Sequence, residues 1–363
     1  MKVKLGDVCE RGSSNLKQSD VIDKTGEFPI YGASGYIGNV DFYHQDRPYV
    51  AIVKDGAGIG RAMFLPEKSS VIGTMQYLLP KENVLPKYLY YVVRYMHLEK
   101  YFTGATIPHI YFRDYKNEEF EYESLEKQAQ IIDALEKVEN ILSARNQQLQ
   151  QLDELVKARF VELFGDLVRG DKFDTNKQKI GEIASVTKLA GFEFTKYIQY
   201  KEQGDIIMLR GLNCKKGHLI LDDIKWIDKG TSDLLPRSKL YYGDILMTYA
   251  GTIGDVAMVD ADDRYHLAPN VAKITLISKS ECNPVFLMHL FMYTNDYIMT
   301  FASVVAQASI NMEKIRNFEY YFPPIELQNE FADFVKQVDK SKFVEQKYIK
   351  KLEILRLYCS CMR

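Results

Sequence analysis

The sequence lacks the marks of several common protein classes. Its five cysteines, at 9, 214, 282, 359 and 361, form an odd and unpatterned set. Reduced thiols fit this better than a disulfide frame. Cys359-Ser360-Cys361 has no second Cys/His pair nearby to complete a zinc site. Long apolar runs are also missing. The most apolar stretches, Tyr88 to Met96 and Val285 to Tyr293, are broken by Arg94 and His289, and both fall short of the ~20 residues a membrane helix needs. The start, Met1-Lys2-Val3-Lys4-Leu5-Gly6-Asp7, lacks the apolar core of a secretory leader, so a cytoplasmic location without membrane contact is expected. Positive charge is not in excess: 47 Lys and Arg stand against 49 Asp and Glu, a net charge of −2. Nucleic-acid binders usually carry a basic footprint. A binder of this composition needs a local stripe of Lys and Arg, or a partner that supplies part of the charge.

Catalytic equipment is equally sparse. Gly56-Ala57-Gly58-Ile59-Gly60 is glycine-rich, but it has neither the spacing of a dinucleotide fingerprint nor the Gly-Lys-Ser/Thr end of a P-loop. Asn283-Pro284-Val285-Phe286 comes within one residue of the Asn-Pro-Pro-Phe/Tyr tetrad of adenine methyltransferases, without an accompanying cofactor motif. The six histidines form no His-x-x-x-His or His-Glu-x-x-His pair. No catalytic residue, metal ligand or cofactor site is expected.

What the chain does have is a long internal repeat. Its 363 residues, 46% hydrophobic and 26% charged, suit two folded domains. Leu5-Gly6-Asp7-Val8 recurs as Ile180-Gly181-Glu182-Ile183, and Gly58-Ile59-Gly60 as Thr252-Ile253-Gly254. Gln76 aligns with Asn270, and Leu125-Glu126-Lys127-Gln128 recurs as Ile325-Glu326-Leu327-Gln328. The offset drifts from 175 through 194 and then holds at 200. Insertions therefore fall in the front of each unit, and its back is constant in length. That back reads as helix. From Gln128 to Phe164 apolar residues from Ile131 to Leu163 step by three, four or seven, with no Pro or Gly before Gly165. A helix of this length spans roughly 55 Å. Leu327 to about Tyr358 carries the same stripe, so the two are expected to pair as an antiparallel coiled coil. The fronts are β-rich, with strands expected at Tyr49 to Val53, Gln76 to Leu79 and Ala272 to Ile277, and short helices after Pro86 and Pro284. The fold class is α+β: two globular mixed domains separated by two long antiparallel helices, with an internal pseudo-twofold repeat. The segments read as domain 1–124, helix 125–168, domain 169–324 and helix 325–363.

This ordered set resembles the specificity subunit of type I restriction–modification enzymes over nearly the whole chain. Further signals are the helix start Phe322-Pro323-Pro324-Ile325-Glu326-Leu327-Gln328 and the helix exit Lys157 to Asp166. The first half has Glu121-Tyr122-Glu123-Ser124 where that proline-rich turn is expected. The resemblance implies two target-recognition domains, each reading half of a split site in double-stranded DNA. It implies helices that space the domains and carry two copies of an adenine-methylating subunit, with a motor–nuclease restriction subunit joining for cleavage. S-adenosylmethionine and ATP then belong to those partners. The rival readings are a diverged stand-alone methyltransferase or nuclease, and a protein-only coiled-coil adaptor.

The loops offer candidate reading groups. In Tyr31 to Tyr36, Ser34 and Tyr36 can meet base edges and phosphates, or the segment can be a plain hairpin. Lys54 and Arg61 flank the first glycine turn, while Tyr249 and Thr252 belong to the second. Gln76 and Asn270 carry amides that can bond an adenine edge or hold the turn. Arg210, Asn213, Lys215 and Lys216 form one polar cluster; Thr106, His109 and Arg113 precede the first helix, and Gln307, Ser309, Asn311 and Arg316 the second. Beyond a narrow seam, Ile132, Ile141 and Leu155 on the first helix and Phe334, Phe343 and Ile354 on the second add apolar surface, the expected docking face for the methylation subunit.

Overall fold

The computed structural model describes residues 1–21, 23–104, 108–303 and 308–360, the last four by backbone alone. The chain divides into two compact units, Met1–Gln148 with Glu345–Arg363, and Leu149–Val344. Each unit holds one α+β domain and part of each long helix, so neither helix stands as a segment of its own.

In the first unit a four-stranded antiparallel sheet runs in the order Cys9–Ser13, Met75–Pro80, Tyr49–Val53, Ala62–Leu65. The strand Tyr49–Val53 is buried along its whole length. Side chains alternate across a strand, and they serve two cores here. Val50 and Ile52 join Leu5, Leu78, Leu89 and Tyr115, while Tyr49, Ala51 and Val53 join Leu65, Met75 and Tyr77. A second sheet pairs Phe28–Gly32 with Gly35–Val40 antiparallel and with Ser70–Val71 parallel.

The second unit repeats this plan. One sheet has the order Ala184–Lys188, Val271–Leu276, Ile245–Thr248, Val256–Met258. In the other, Ile206–Leu209 pairs antiparallel with Lys225–Ile227 and parallel with Tyr265–Leu267. The short helices after the prolines form at Pro86–Arg94 and Pro284–Tyr293.

The recurrent Leu-Gly-Asp-Val and Ile-Gly-Glu-Ile segments are one helical turn each, Leu5–Val8 and Ile180–Ile183. Each follows a short strand that ties the domain's first residues to its last: Lys2–Lys4 pairs with Glu119–Glu121, and Lys177–Lys179 with Glu319–Tyr321. The glycines answer to close approach. A Cβ on Gly6 would lie 3.3 Å from Lys116, and one on Gly181 2.9 Å from Arg316.

The long helices span Leu125–Phe164 and Ile325–Ser360. The first starts at the repeat-equivalent position despite its missing prolines. In the first unit Arg145 bonds both carboxylate oxygens of Glu345, at 2.8 and 2.9 Å. In the second, Asp153 pairs with Lys342 at 2.6 Å and Arg159 with Glu330 at 2.7 Å, so the helix segments there run antiparallel. Among the described residues no helix is long and apolar enough to cross a membrane.

Candidate nucleic-acid interface

Each domain brings the same two loops together. In the first, the chain leaves Tyr49–Val53 into the glycine turn. The Ile110 amide donates to the Lys54 carbonyl at 2.9 Å, and the Gly56 amide to Pro108 at 3.0 Å. Thr103 and His109 exchange both backbone bonds at 2.8 Å. In the second, the Ile310 amide donates to the Tyr249 carbonyl at 2.9 Å, and Ser303 and Ser309 exchange the equivalent pair at 3.0 and 3.2 Å. Gly60 has φ of 80°, and a Cβ there would sit 2.5 Å from the Glu99 amide nitrogen. Both the backbone conformation and the close approach demand glycine. The recurrent Ile-Gly pair, Ile59-Gly60 and Ile253-Gly254, is therefore part of a turn packed under the segment that leads toward the long helix.

In the first domain this assembly gathers several sequence candidates. Ala33-Ser34 is the two-residue tip of the hairpin between Phe28–Gly32 and Gly35–Val40. Arg61, beyond the glycine turn, donates to the Ala33 carbonyl and so ties the hairpin to the turn. Ser34 is exposed, and Tyr36 is 61% exposed, with its hydroxyl donating to Asn39 at 3.1 Å. Lys54 lies 3.8 Å from Asp55, whose carboxylate meets His109 Nδ1 at 2.7 Å. His109 stacks on Tyr111, and the Arg113 guanidinium lies over the Tyr111 ring, 4.9 Å from its centre. Asp55 and Tyr111 escaped the sequence reading. Tyr111 had a signal, since it alternates with His109 and Arg113; Asp55 had none.

The second domain gathers Tyr249, Thr252 and Ser309 at the equivalent place, with Thr252 exposed. Lys188, also missed, sits 5.5 Å over the Tyr249 ring; it comes from a strand distant in sequence. Asn311 caps the short helix Met312–Arg316 by accepting from the Lys314 amide at 2.9 Å. Arg316 is spent on the Val186 carbonyl at 2.6 Å. Lys215 and Lys216 are exposed. Thr106 and Gln307 lie outside the described residues.

Two candidates face inward. Asn213 is fully buried, and its amide donates to the carbonyls of Ile220 and Asp223 at 2.7 and 2.9 Å. Its neighbour Arg210 is bound to Asp223 by backbone carbonyl and carboxylate, both at 2.9 Å. Gln76 is 3% exposed within the strand Met75–Pro80. The expected equivalence of Gln76 with Asn270 is also shifted. The Lys54 amide bonds the Thr74 carbonyl and the Tyr249 amide bonds the Asn270 carbonyl, both at 3.0 Å, so the counterpart of Asn270 is Thr74. Asn270 itself is exposed at φ 67°, where asparagine is tolerated.

The remaining chemistry is quiet. Burial pushes the thiols of Cys9, Cys214 and Cys282 up to about 12, which keeps them protonated and poorly nucleophilic. Asn283 of the methyltransferase-like tetrad caps its helix, accepting from the Val285 amide at 2.9 Å. Among the described residues no group of three or more His, Cys, Asp or Glu is placed to hold a metal.

The family model for the type I restriction modification DNA specificity domain matches residues 1–154 and again residues 174–353. The chain belongs to that family. DNA-sequence recognition is the function of this domain, and the two matches coincide with the two repeats. The specificity subunit of the EcoBI type I restriction enzyme from Escherichia coli is 28% identical over 136 residues; that stretch covers 37% of this chain and 28% of the relative. The solved S subunit of a type I restriction-modification system from M. genitalium superposes with a TM-score of 0.59 at 13% identity, covering 99% of this chain and 94% of that one. A chain solved in work on assembly and conformational transition of the type I R-M system gives 0.59 at 14% identity, covering 99% and 96%. These structural likenesses concern the fold. The specificity domain, not a methylation or restriction subunit, is what the chain matches.

Proposed function

We propose that this chain reads an asymmetric, bipartite sequence in double-stranded DNA, one half-site per domain, and docks methylation and restriction subunits beside it in the cytoplasm. The observation that carries this reading is the twice-built loop assembly. Four of its backbone bonds recur in both domains, yet equivalent positions bear different groups: Lys54 against Tyr249, and His109 against Ser309. Identical domains would read a palindrome, as symmetric dimers do; these read two different half-sites. Ser34, Tyr36, Lys54, Arg61 and His109 are the contact groups in the first domain, and Tyr249, Thr252 and Ser309 in the second, with Asn270 and Lys215 beside them. Asn213 holds its loop in place instead, and Gln76 is buried within the strand Met75–Pro80.

The docking face for two copies of an adenine-methylating subunit is the outer side of the helices. Ile141, Leu155, Phe343 and Ile354 are 44, 48, 65 and 46% exposed. Ile132 and Phe334 instead pack partly against the cores of their own units, so substitutions there test folding. S-adenosylmethionine and ATP are assigned to the partner subunits.

The test is a motif map. Methylated sites are mapped in cells before and after residues 1 to 123 are exchanged for the first domain of a relative. One half of the motif is expected to change and the other to stay. A change in both halves, or in neither, defeats the reading. Phe343→Asp is expected to release the methylation subunit while circular dichroism stays unchanged.

A further inference from the structure

One side chain is built into the same place in both domains, and the loop assembly does not use it. Gln128 lies in the first turn of the long helix and is fully buried. Its Oε1 accepts from the Leu85 amide at 2.8 Å, and its Nε2 donates to the carbonyls of Glu123 at 2.8 Å and Asn83 at 3.1 Å. Gln328, also fully buried, accepts from the Asn283 amide at 2.9 Å and donates to the Pro323 carbonyl at 2.8 Å. Leu85 and Asn283 are the residues that precede the short helices Pro86–Arg94 and Pro284–Tyr293. Those helices belong to the domains: Leu89 and Val93 pack in one core with Val50, Ile52 and Leu78. Each glutamine thus joins three pieces of chain: the start of the domain's short helix, the turn that follows its exit strand, and the long helix. A carboxamide can accept from a backbone N–H through its oxygen and donate to carbonyls through its NH2 at such a joint.

Around these residues the two joints share little. Arg94 and Tyr91 both donate to Glu139 in the first, whereas Phe160 packs against Phe286 and Phe331 in the second. Retention of the glutamine amid this divergence indicates a task that hydrophobic packing does not supply. Apolar contacts are non-directional, while hydrogen bonds have narrow angular preference.

We propose that Gln128 and Gln328 are positioning residues for DNA reading, each fixing the angle at which its recognition domain leaves the long helix. The proposal rests on the reading of the chain as a two-half-site DNA reader. Misplacement by about 1 Å can cost a bound complex roughly 100-fold in rate, so a loosened joint blurs the half-site read by that domain and spares the other.

The experiment uses the full chain in cells with its methylation subunit, and maps methylated motifs at base resolution. Gln128→Met keeps the side chain's size and removes its hydrogen bonds; Gln328→Met does the same at the other joint. In the unaltered system a wrong base pair in either half is expected to cost about 10- to 100-fold. With Gln128→Met the penalty in one half falls to roughly threefold or less and holds in the other; with Gln328→Met the halves exchange roles. Equal loss of methylation across all sites, with both penalties intact, overturns the proposal and leaves the glutamines as fold stabilisers. Should either variant fail to accumulate folded, hydrogen exchange of the unaltered chain decides. The Leu85 and Asn283 amides must exchange as slowly as the core strands, and exchange at open-loop rates overturns the proposal. An unaltered chain that yields no bipartite motif refutes the parent reading instead.

Discussion

The two domain–helix joints solve one packing problem with different chemistry. In the first unit Arg94 donates to Glu139 at 2.6 Å and to the Tyr90 hydroxyl at 3.1 Å, and the Tyr91 hydroxyl donates to Glu139 at 2.9 Å. In the second, Phe160 stacks on Phe286 with ring centres 5.9 Å apart and meets Phe164 and Phe331 edge-on. Where the first joint has Tyr91, the second has His289, buried against the Phe331 ring. The polar joint is partly open to solvent; the aromatic one is closed. Burial of large aromatic surface stabilises far more than a half-exposed ion pair, so the second unit should depend on its joint more than the first.

The sharpest test of that contrast is Phe331→Ala. The side chain is fully buried among three rings, and its loss is expected to cost about 3–5 kcal/mol. Denaturant unfolding followed by Trp226 fluorescence reads this directly, because the chain's one tryptophan lies in the second unit. A loss comparable to that of Glu139→Gln would erase the distinction between the joints.

Next comes pH. Burial lowers the pKa of His289 to about 4, with Val285 and Asp339 acting upward and Lys342 and His218 downward. An unfolded histidine titrates near ~6.5. Above that pH both states are neutral and the contribution is complete. As pH falls toward 4 the unfolded chain takes up a proton that the folded one refuses, so stability is lost, by roughly 3 kcal/mol at the lower limit. His289→Leu should flatten this slope in the Trp226 transition between pH 6.5 and 4. An unchanged slope would assign it to carboxylates elsewhere.

Smaller effects are expected in the first unit. Glu139→Gln should cost about 1 kcal/mol, since both charged partners are roughly a third exposed. Its effect on hydrogen exchange across Pro86–Arg94 should shrink in high salt. Least of all, the Arg145–Glu345 pair should couple by no more than about 0.5 kcal/mol in a double-mutant cycle. Coupling beyond that would mean that this partly exposed pair orders the helix segments around it.

Much of this architecture was legible before any coordinate. Apolar residues at helical spacing and the constant offset of 200 marked both long helices to within a few residues. Strand patterns at Tyr49 to Val53 and Ala272 to Ile277 lie close to the observed strands. The site was less legible. Insertions between repeats shift the alignment by a residue or two, enough to set Gln76 opposite Asn270 when Thr74 is the true counterpart. The shift moves the comparison from the buried Gln76 inside the strand Met75–Pro80 to the turn residue just before that strand.

Periodicity and duplication depend on neighbours along the chain, and those the sequence determined by itself: two α+β domains, two long helices, one family. Which polar groups are tools and which are fasteners depends on partners remote in sequence. Asn213 and Gln128 look like any exposed amide when read in order. Only folding brings Asp223 to the first, and Asn83 and Leu85 to the second. A buried amide must find hydrogen-bond partners or bear the cost of desolvation, and tertiary structure alone decides where those partners stand.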